Sequence, residues 1–178
     1  MKVSIMADRQ NSQFLFFGLA LGMSLAFPAI SSQAQDQGLT LGSTIRGETA
    51  ADGTALLVCD KSSDDQRTCN PVIGDHMCED EKPLLCFLDI QASAPTYLDD
   101  PEYWSGGIVA STDEVSGNAF ETISEAHAYC AKIFGKDWRV AGFHDGGGGI
   151  RAYGNVGETP RRFWVDIKTQ PDATCWSR

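Results

Sequence analysis

The sequence predicts an α+β fold: a small antiparallel sheet, stapled by disulfides, with one main helix. Three observations predict it. Six cysteines follow an N-terminal export signal, and an even set in an exported chain reads as a bridge framework. The segment from Thr122 to Gly135 carries the cap, the periodicity and the stop of an amphipathic helix. Around it lie short apolar or alternating runs of strand length, separated by turn formers.

The export signal comes first. Lys2 and Arg9 form a basic start, Phe14 to Ala26 is almost wholly apolar, and Pro28 precedes Ser32-Gln33-Ala34. Small residues at positions 32 and 34 suit a signal peptidase, so residues 1–34 read as a signal peptide cleaved after Ala34. A transmembrane anchor is the competing reading. It needs about 20 apolar residues, and this run is shorter and interrupted by Gly18, Gly22 and Ser24. No membrane span is expected after cleavage, and the location is periplasmic or secreted.

Charge divides the rest. Residues 35–102 hold 14 acidic and 4 basic side chains, whereas 103–178 hold 9 and 8. With a net charge of −10 over the chain and no basic stripe, nucleic acid is excluded as a partner. Asp60, Asp64 and Asp65 form one acidic group, and Asp75, Glu79, Asp80 and Glu81 another. Neither has the spacing of a calcium loop, so a solvated acidic surface is expected, with calcium as the alternative. No other cofactor is expected.

The cysteines are Cys59, Cys69, Cys78, Cys86, Cys130 and Cys175. Sequence leaves many pairings open. Spacing favours pairing within the cluster 59–86, and of Cys130 with Cys175. Zinc is the competing use, with His76 and Cys78 as ligands. The absence of any C-x-x-C pair argues against it, and no metal site is expected.

The elements follow in order. Residues 35–53 are polar and glycine-rich and read as a leader or edge segment. Thr54 to Cys59 and Leu84 to Ile90 are buried-strand candidates. Asp60 to Pro83 is turn-rich, and Ser93 to Tyr103 reads as a connector between an acidic cysteine-rich region, 35–102, and a second region, 103–178. Gly106 to Thr112 is a third strand. Thr122 and Glu125 make a capping box, and Ala126, Tyr129, Cys130 and Ile133 share one helical face that ends at Gly135. Asp137 to Phe143 and Arg161 to Ile167 alternate as strands, and Cys175 falls in a terminal strand.

The stretch "SEAHAYCAKIFGKDWRVAGF" resembles the opening of a C-type lectin-like domain: strand, helix with A-x-x-Y-C, glycine turn, then a strand bearing Trp-Arg, here Trp138-Arg139. The resemblance covers about half of the chain after the signal. It implies a lectin-like C-terminal half, with Arg162 to Ile167 as the central aromatic strand and a bridge from the helix cysteine, Cys130, to Cys175. Gln170-Pro171-Asp172 spells the tripeptide that helps sugar-binding members hold calcium and galactose. It lies too close to Cys175 for that role and has no Trp-Asn-Asp partner, so it reads as a turn.

Four consecutive glycines, Gly146 to Gly149, follow His144-Asp145. They fit neither a phosphate-binding loop, which needs Lys-Ser/Thr after the last glycine, nor a dinucleotide fingerprint. Two readings stay open: a flexible turn, or a contact loop in which His144, Asp145, Arg151, Tyr153 and Asn155 surround a small polar or glycan ligand. The leading functional expectation is a non-catalytic binding or adhesion module of the cell envelope or extracellular space, with an envelope protein or glycan as partner. One rival is an envelope hydrolase using Asp145, Asp166 or Glu158 with His144. The other is a structural component of an envelope assembly.

Overall fold

A computed structural model describes residues 36–43, 53–59, 69–98, 101–157 and 161–178. The signal segment, the aspartates at 60, 64 and 65, and Glu158 lie outside the described residues. Within the described chain the strands are β1 (Gln37–Gly38), β2 (Thr40–Ser43), β3 (Thr54–Val58), β4 (His76–Met77), β5 (Glu81–Asp89), β6 (Trp104–Ser116), β7 (Arg139–Val140), β8 (Gly149–Asn155) and β9 (Arg162–Trp164). The helix α1 spans Ile123–Phe134.

The strands form a closed barrel rather than a small open sheet. Its order is β6-β8-β3-β2-β9-β5, and β5 pairs back onto β6. Two of the six contacts are parallel, β6 with β8 and β5 with β9. The rest are antiparallel. This overturns the expected α+β architecture of a small sheet with one main helix. The cause is β2. Residues 35–53, read as a leader or edge, supply the strand that bridges β3 to β9, and Leu39 and Leu41 are fully buried. Strands from both sides of the Ser93–Tyr103 connector enter one wall.

Two apolar layers hold the wall. Leu41, Leu57, Leu85, Phe87, Ile150, Ala152 and Phe163 fill the barrel. Leu84, Cys86, Val140, Trp164 and Trp176 face outward and are covered by Ile123, Ala126 and Cys130 of α1. Alternation along a strand sends neighbours to opposite faces. In β5, Leu85 and Phe87 therefore enter the barrel while Leu84 and Cys86 meet the helix, which explains the continuous apolar run there. The register slips at Pro83, which has no N–H to donate, and the Leu84 N–H is satisfied by Thr112 Oγ1 at 3.0 Å.

The helix forms as its sequence predicts. Thr122 Oγ1 accepts from the Glu125 N–H at 3.2 Å, Glu125 Oε2 accepts from the Thr122 N–H at 3.4 Å, and Gly135 ends the helix at φ 124°. The buried stripe differs from expectation by one turn: Ile123 is buried and Ile133 is exposed, and at the C-terminal end Phe134 rather than Ile133 packs against the outer layer. Asp137 to Phe143, expected as an alternating strand, yields only the two-residue β7, which pairs with β5 at Cys86 and Phe87.

The cysteine pairs are Cys59–Cys69, Cys78–Cys175 and Cys86–Cys130. Only the first lies within the expected cluster, and Cys130 does not pair with Cys175. The cause is again topological. β5 runs directly under α1, so Cys86 is the sulfur nearest Cys130, with Cα atoms 5.7 Å apart. Cys175 is not in a strand: it follows a short 3-10 turn, Pro171–Ala173, which Gln170 of the QPD tripeptide caps. The chain end is fixed instead by hydrogen bonds of Ser177 to Glu121 and Ile123, and by the Trp176 indole N–H on the Gly117 carbonyl at 2.9 Å.

Candidate functional site

The glycine tetrad is a packed turn. The amides of Asp145, Gly147 and Gly148 donate to the carbonyls of Gly142, His144 and Phe143. A Cβ on Gly146 would overlap the carbonyl oxygens of Tyr103 and Gly149. A Cβ on Gly149 would stand 2.9 Å from the Tyr103 ring and from Val58. The glycines therefore let the Tyr103 segment lie directly on the loop. Gly147, at φ 80°, faces open space.

The structure divides the five sequence-predicted ligand residues into two neighbouring places. His144 and Asp145 line a pocket of about 150 Å³ with Gly142, Phe143, Asp166 and Lys168. Arg151 and Tyr153 lie on the outward face of β8, alternating with Ile150 and Ala152, which point into the barrel. Asn155 ends the same strand, paired with Ala110 through its backbone. The ring of Phe143 and the ring of Tyr103 lie 3.8 and 4.0 Å from a Cβ built at Gly148, so pocket and strand face adjoin there.

Both carboxylates of the pocket are held by arginines. Asp145 takes a two-pronged contact from Arg139, at 2.8 and 2.9 Å, and the Gly142 N–H at 2.6 Å. Asp166 is buried and pairs with Arg178. His144 Nε2 meets Thr169 Oγ1 at 3.0 Å. The pocket thus gathers His144, Asp145 and Asp166, three residues of the hydrolase reading, with their acidic groups spent on internal cations.

Beside it, His127 of α1 accepts the Val140 N–H through Nδ1 at 3.2 Å, which assigns the neutral ring proton to Nε2. Burial holds this imidazole below its ordinary 6.5. Asp166 opposes the shift, while Arg139, Lys168 and Arg178 add to it.

On the outward face of β8 and β6, Tyr153 meets Trp104 edge to face, with ring centroids 5.1 Å apart. The Trp104 indole N–H donates to the Ala92 carbonyl at 2.8 Å. Among the described residues only two non-glycines have positive φ, Gln91 at 53° and Tyr103 at 64°. They flank this corner: Tyr103 precedes Trp104, and Gln91 precedes Ala92.

Sequence reasoning missed a second polar cluster. Asp75 accepts the Thr40 N–H at 2.7 Å, the Thr40 hydroxyl at 2.6 Å, Arg162 at 2.6 Å and His76 Nδ1 at 2.9 Å. Arg162 Nε also donates to Thr40 Oγ1 at 2.6 Å. The Thr40 proton is committed to Asp75, so the proton between His76 and Asp75 belongs to Nδ1. The signal for this cluster lies in tertiary proximity, since its members come from β2, the loop before β4, β4 and β9. Cys78, the sulfur of the competing zinc reading with His76, is bridged to Cys175.

Fold and site together define a cross-linked, closed β-barrel with one covering helix and a polar pocket beside an aromatic corner. Comparison with protein-family models, with curated proteins and with solved structures finds no match. No described helix is long and apolar enough to cross a membrane. Three cysteine pairs at bridging distance are consistent with an oxidising, exported setting.

Proposed function

We propose that the chain is an exported, non-catalytic binding module of the periplasm or extracellular space, and that it holds a glycan against the corner made by Tyr103, Trp104 and Tyr153. The observation that carries the reading is the placement of the two strained residues. Side chains other than glycine lose roughly 1–2 kcal/mol in the left-handed region. Gln91 and Tyr103 both accept that cost, and both border Trp104. Strain concentrated at an aromatic corner is a feature of contact sites. A sugar ring offers an apolar C–H face to an aromatic ring and hydroxyls to polar neighbours. Arg151, on the same outward face as Tyr153, supplies the polar neighbour.

The pocket supports contact rather than catalysis. General acid–base work needs a carboxylate free to exchange a proton with substrate. Asp145 and Asp166 instead hold Arg139 and Arg178. Its volume of about 150 Å³ is small beside the roughly 300 Å³ or more of pockets that enclose whole ligands, so it suits one substituent of a larger partner.

Titration calorimetry of the full chain against a panel of soluble oligosaccharides tests the reading. Binding is expected, and Trp104→Ala is expected to weaken it at least about tenfold, a loss of about 1.4 kcal/mol. Absence of binding across the panel, or an unchanged affinity in a folded Trp104→Ala variant, overturns it.

A further inference from the structure

We infer that the pocket at His144 and Lys168 is an anion subsite, and that the glycan bound at the neighbouring aromatic corner carries a carboxylate. The inference rests on the glycan-binding reading and names the ligand's chemical class.

The charges decide it. Two carboxylates line the pocket, and a first reading makes it a cation site. Each is already matched: Asp145 by Arg139 through two hydrogen bonds, and Asp166 by Arg178. Lys168 is the remaining charged lining residue, and no described acid lies within ion-pairing distance of it. The pocket therefore carries an excess of one positive charge, in a chain whose overall charge is −10. A cation would meet two Asp145 oxygens already held by Arg139 and an Asp166 whose Oδ1 is held by Arg178, whereas an anion meets the Lys168 ammonium.

Size and position narrow the class. About 150 Å³ admits a carboxylate and the carbon that bears it, but not a sugar ring. Phe143 lines the pocket, and a Cβ placed on Gly148 would lie 3.8 Å from its ring and 4.0 Å from that of Tyr103. A ring stacked at Tyr103 and Trp104 thus lies next to the pocket mouth. Both a uronic acid and a lactyl-substituted amino sugar present a carboxylate beside a stackable ring.

The experiment uses the full chain with two probes of equal length, galactotriose and trigalacturonate, followed by calorimetry and by chemical-shift changes at Lys168 and Trp104. The acidic trisaccharide is expected to bind about fivefold tighter or more. Lys168→Ala is expected to remove the difference, Lys168→Arg to retain it, and added salt to shrink it. Equal affinities, or an acidic probe that leaves the Lys168 resonances unmoved, overturn the inference. If galacturonate monosaccharide shifts Lys168 while neither trisaccharide shifts Trp104, the anion subsite stands and the aromatic-corner reading fails. If both trisaccharides shift Trp104 alone, that reading stands and the subsite fails. A competing shift by calcium chloride but not by sodium galacturonate also overturns it, since the pocket is then a cation site.

Discussion

Cys86 on β5 and Cys130 on α1 are bonded across the outer apolar layer, both fully buried, 44 positions apart in the sequence. The bond fixes the helix to the barrel at the centre of their contact. In the chain-entropy account a loop of that length contributes about 4 kcal/mol. The double variant Cys86→Ala/Cys130→Ala is expected to lose about that much in denaturant unfolding. Peptide mapping without reductant is expected to recover Cys59 with Cys69, Cys78 with Cys175 and Cys86 with Cys130. Recovery of a Cys130–Cys175 peptide contradicts the barrel topology.

The Asp75 cluster ties β2, β4 and β9 together through one carboxylate that is 8% exposed. Removing one partner of a buried ion pair leaves the other unmatched, at roughly 3–5 kcal/mol. Arg162 is 23% exposed and regains some water, so Asp75→Ala is expected to cost about 2–3 kcal/mol and to lower Tm by roughly 5–10 °C. Calorimetric melting checks this. A change within about 0.5 kcal/mol contradicts the assigned network.

His127 makes stability depend on pH with a definite sign. Its folded value lies below 6.5, so the unfolded chain takes up the proton first as pH falls. The contribution is fully present above about 6.5 and is lost through the window between 6.5 and the lowered folded value, then levels off. Protonation also removes the Nδ1 lone pair that accepts the Val140 N–H. His127→Gln, which keeps an acceptor and cannot titrate, is expected to flatten this part of the curve in urea unfolding across pH 7 to 5.

Adjacent glycines of the tetrad are expected to respond differently. Gly147→Ala meets open space and carries only the left-handed penalty, about 1–2 kcal/mol. Gly146→Ala drives a methyl into two backbone carbonyls and is expected to cost about 3 kcal/mol. Equal small effects at both positions, read by thermal melting, contradict a packed loop and restore the flexible-turn reading.

The local elements were legible and the assembly was not. Thr122, Glu125 and Gly135 announce α1 through interactions that span four residues, and the structure reproduces them. Thr54–Val58 and the core of β5 stood out because both are apolar. β2 escaped notice because Thr40-Leu41-Gly42-Ser43 holds one large apolar side chain, and only pairing with β3 and β9 makes it a strand. With β2 missed, closure was invisible, and the cysteine pairing that follows from closure went with it. Of the residues that line the proposed site, His144 and Asp145 stood out by residue type. The Lys168 ammonium and the Trp104 corner did not, because their significance depends on the partners of Asp166 and on backbone angles at Gln91 and Tyr103.

The hydrogen bonds between Leu41 and Phe163 join the first barrel strand to the last. A polypeptide delivered from its amino end therefore cannot complete its wall until that final strand has emerged. The connection spans most of the sequence, and bringing such distant partners together is slow. Until then β2 and β5 lack the strand that joins them, and the apolar side chains that the closed wall buries are left without that cover.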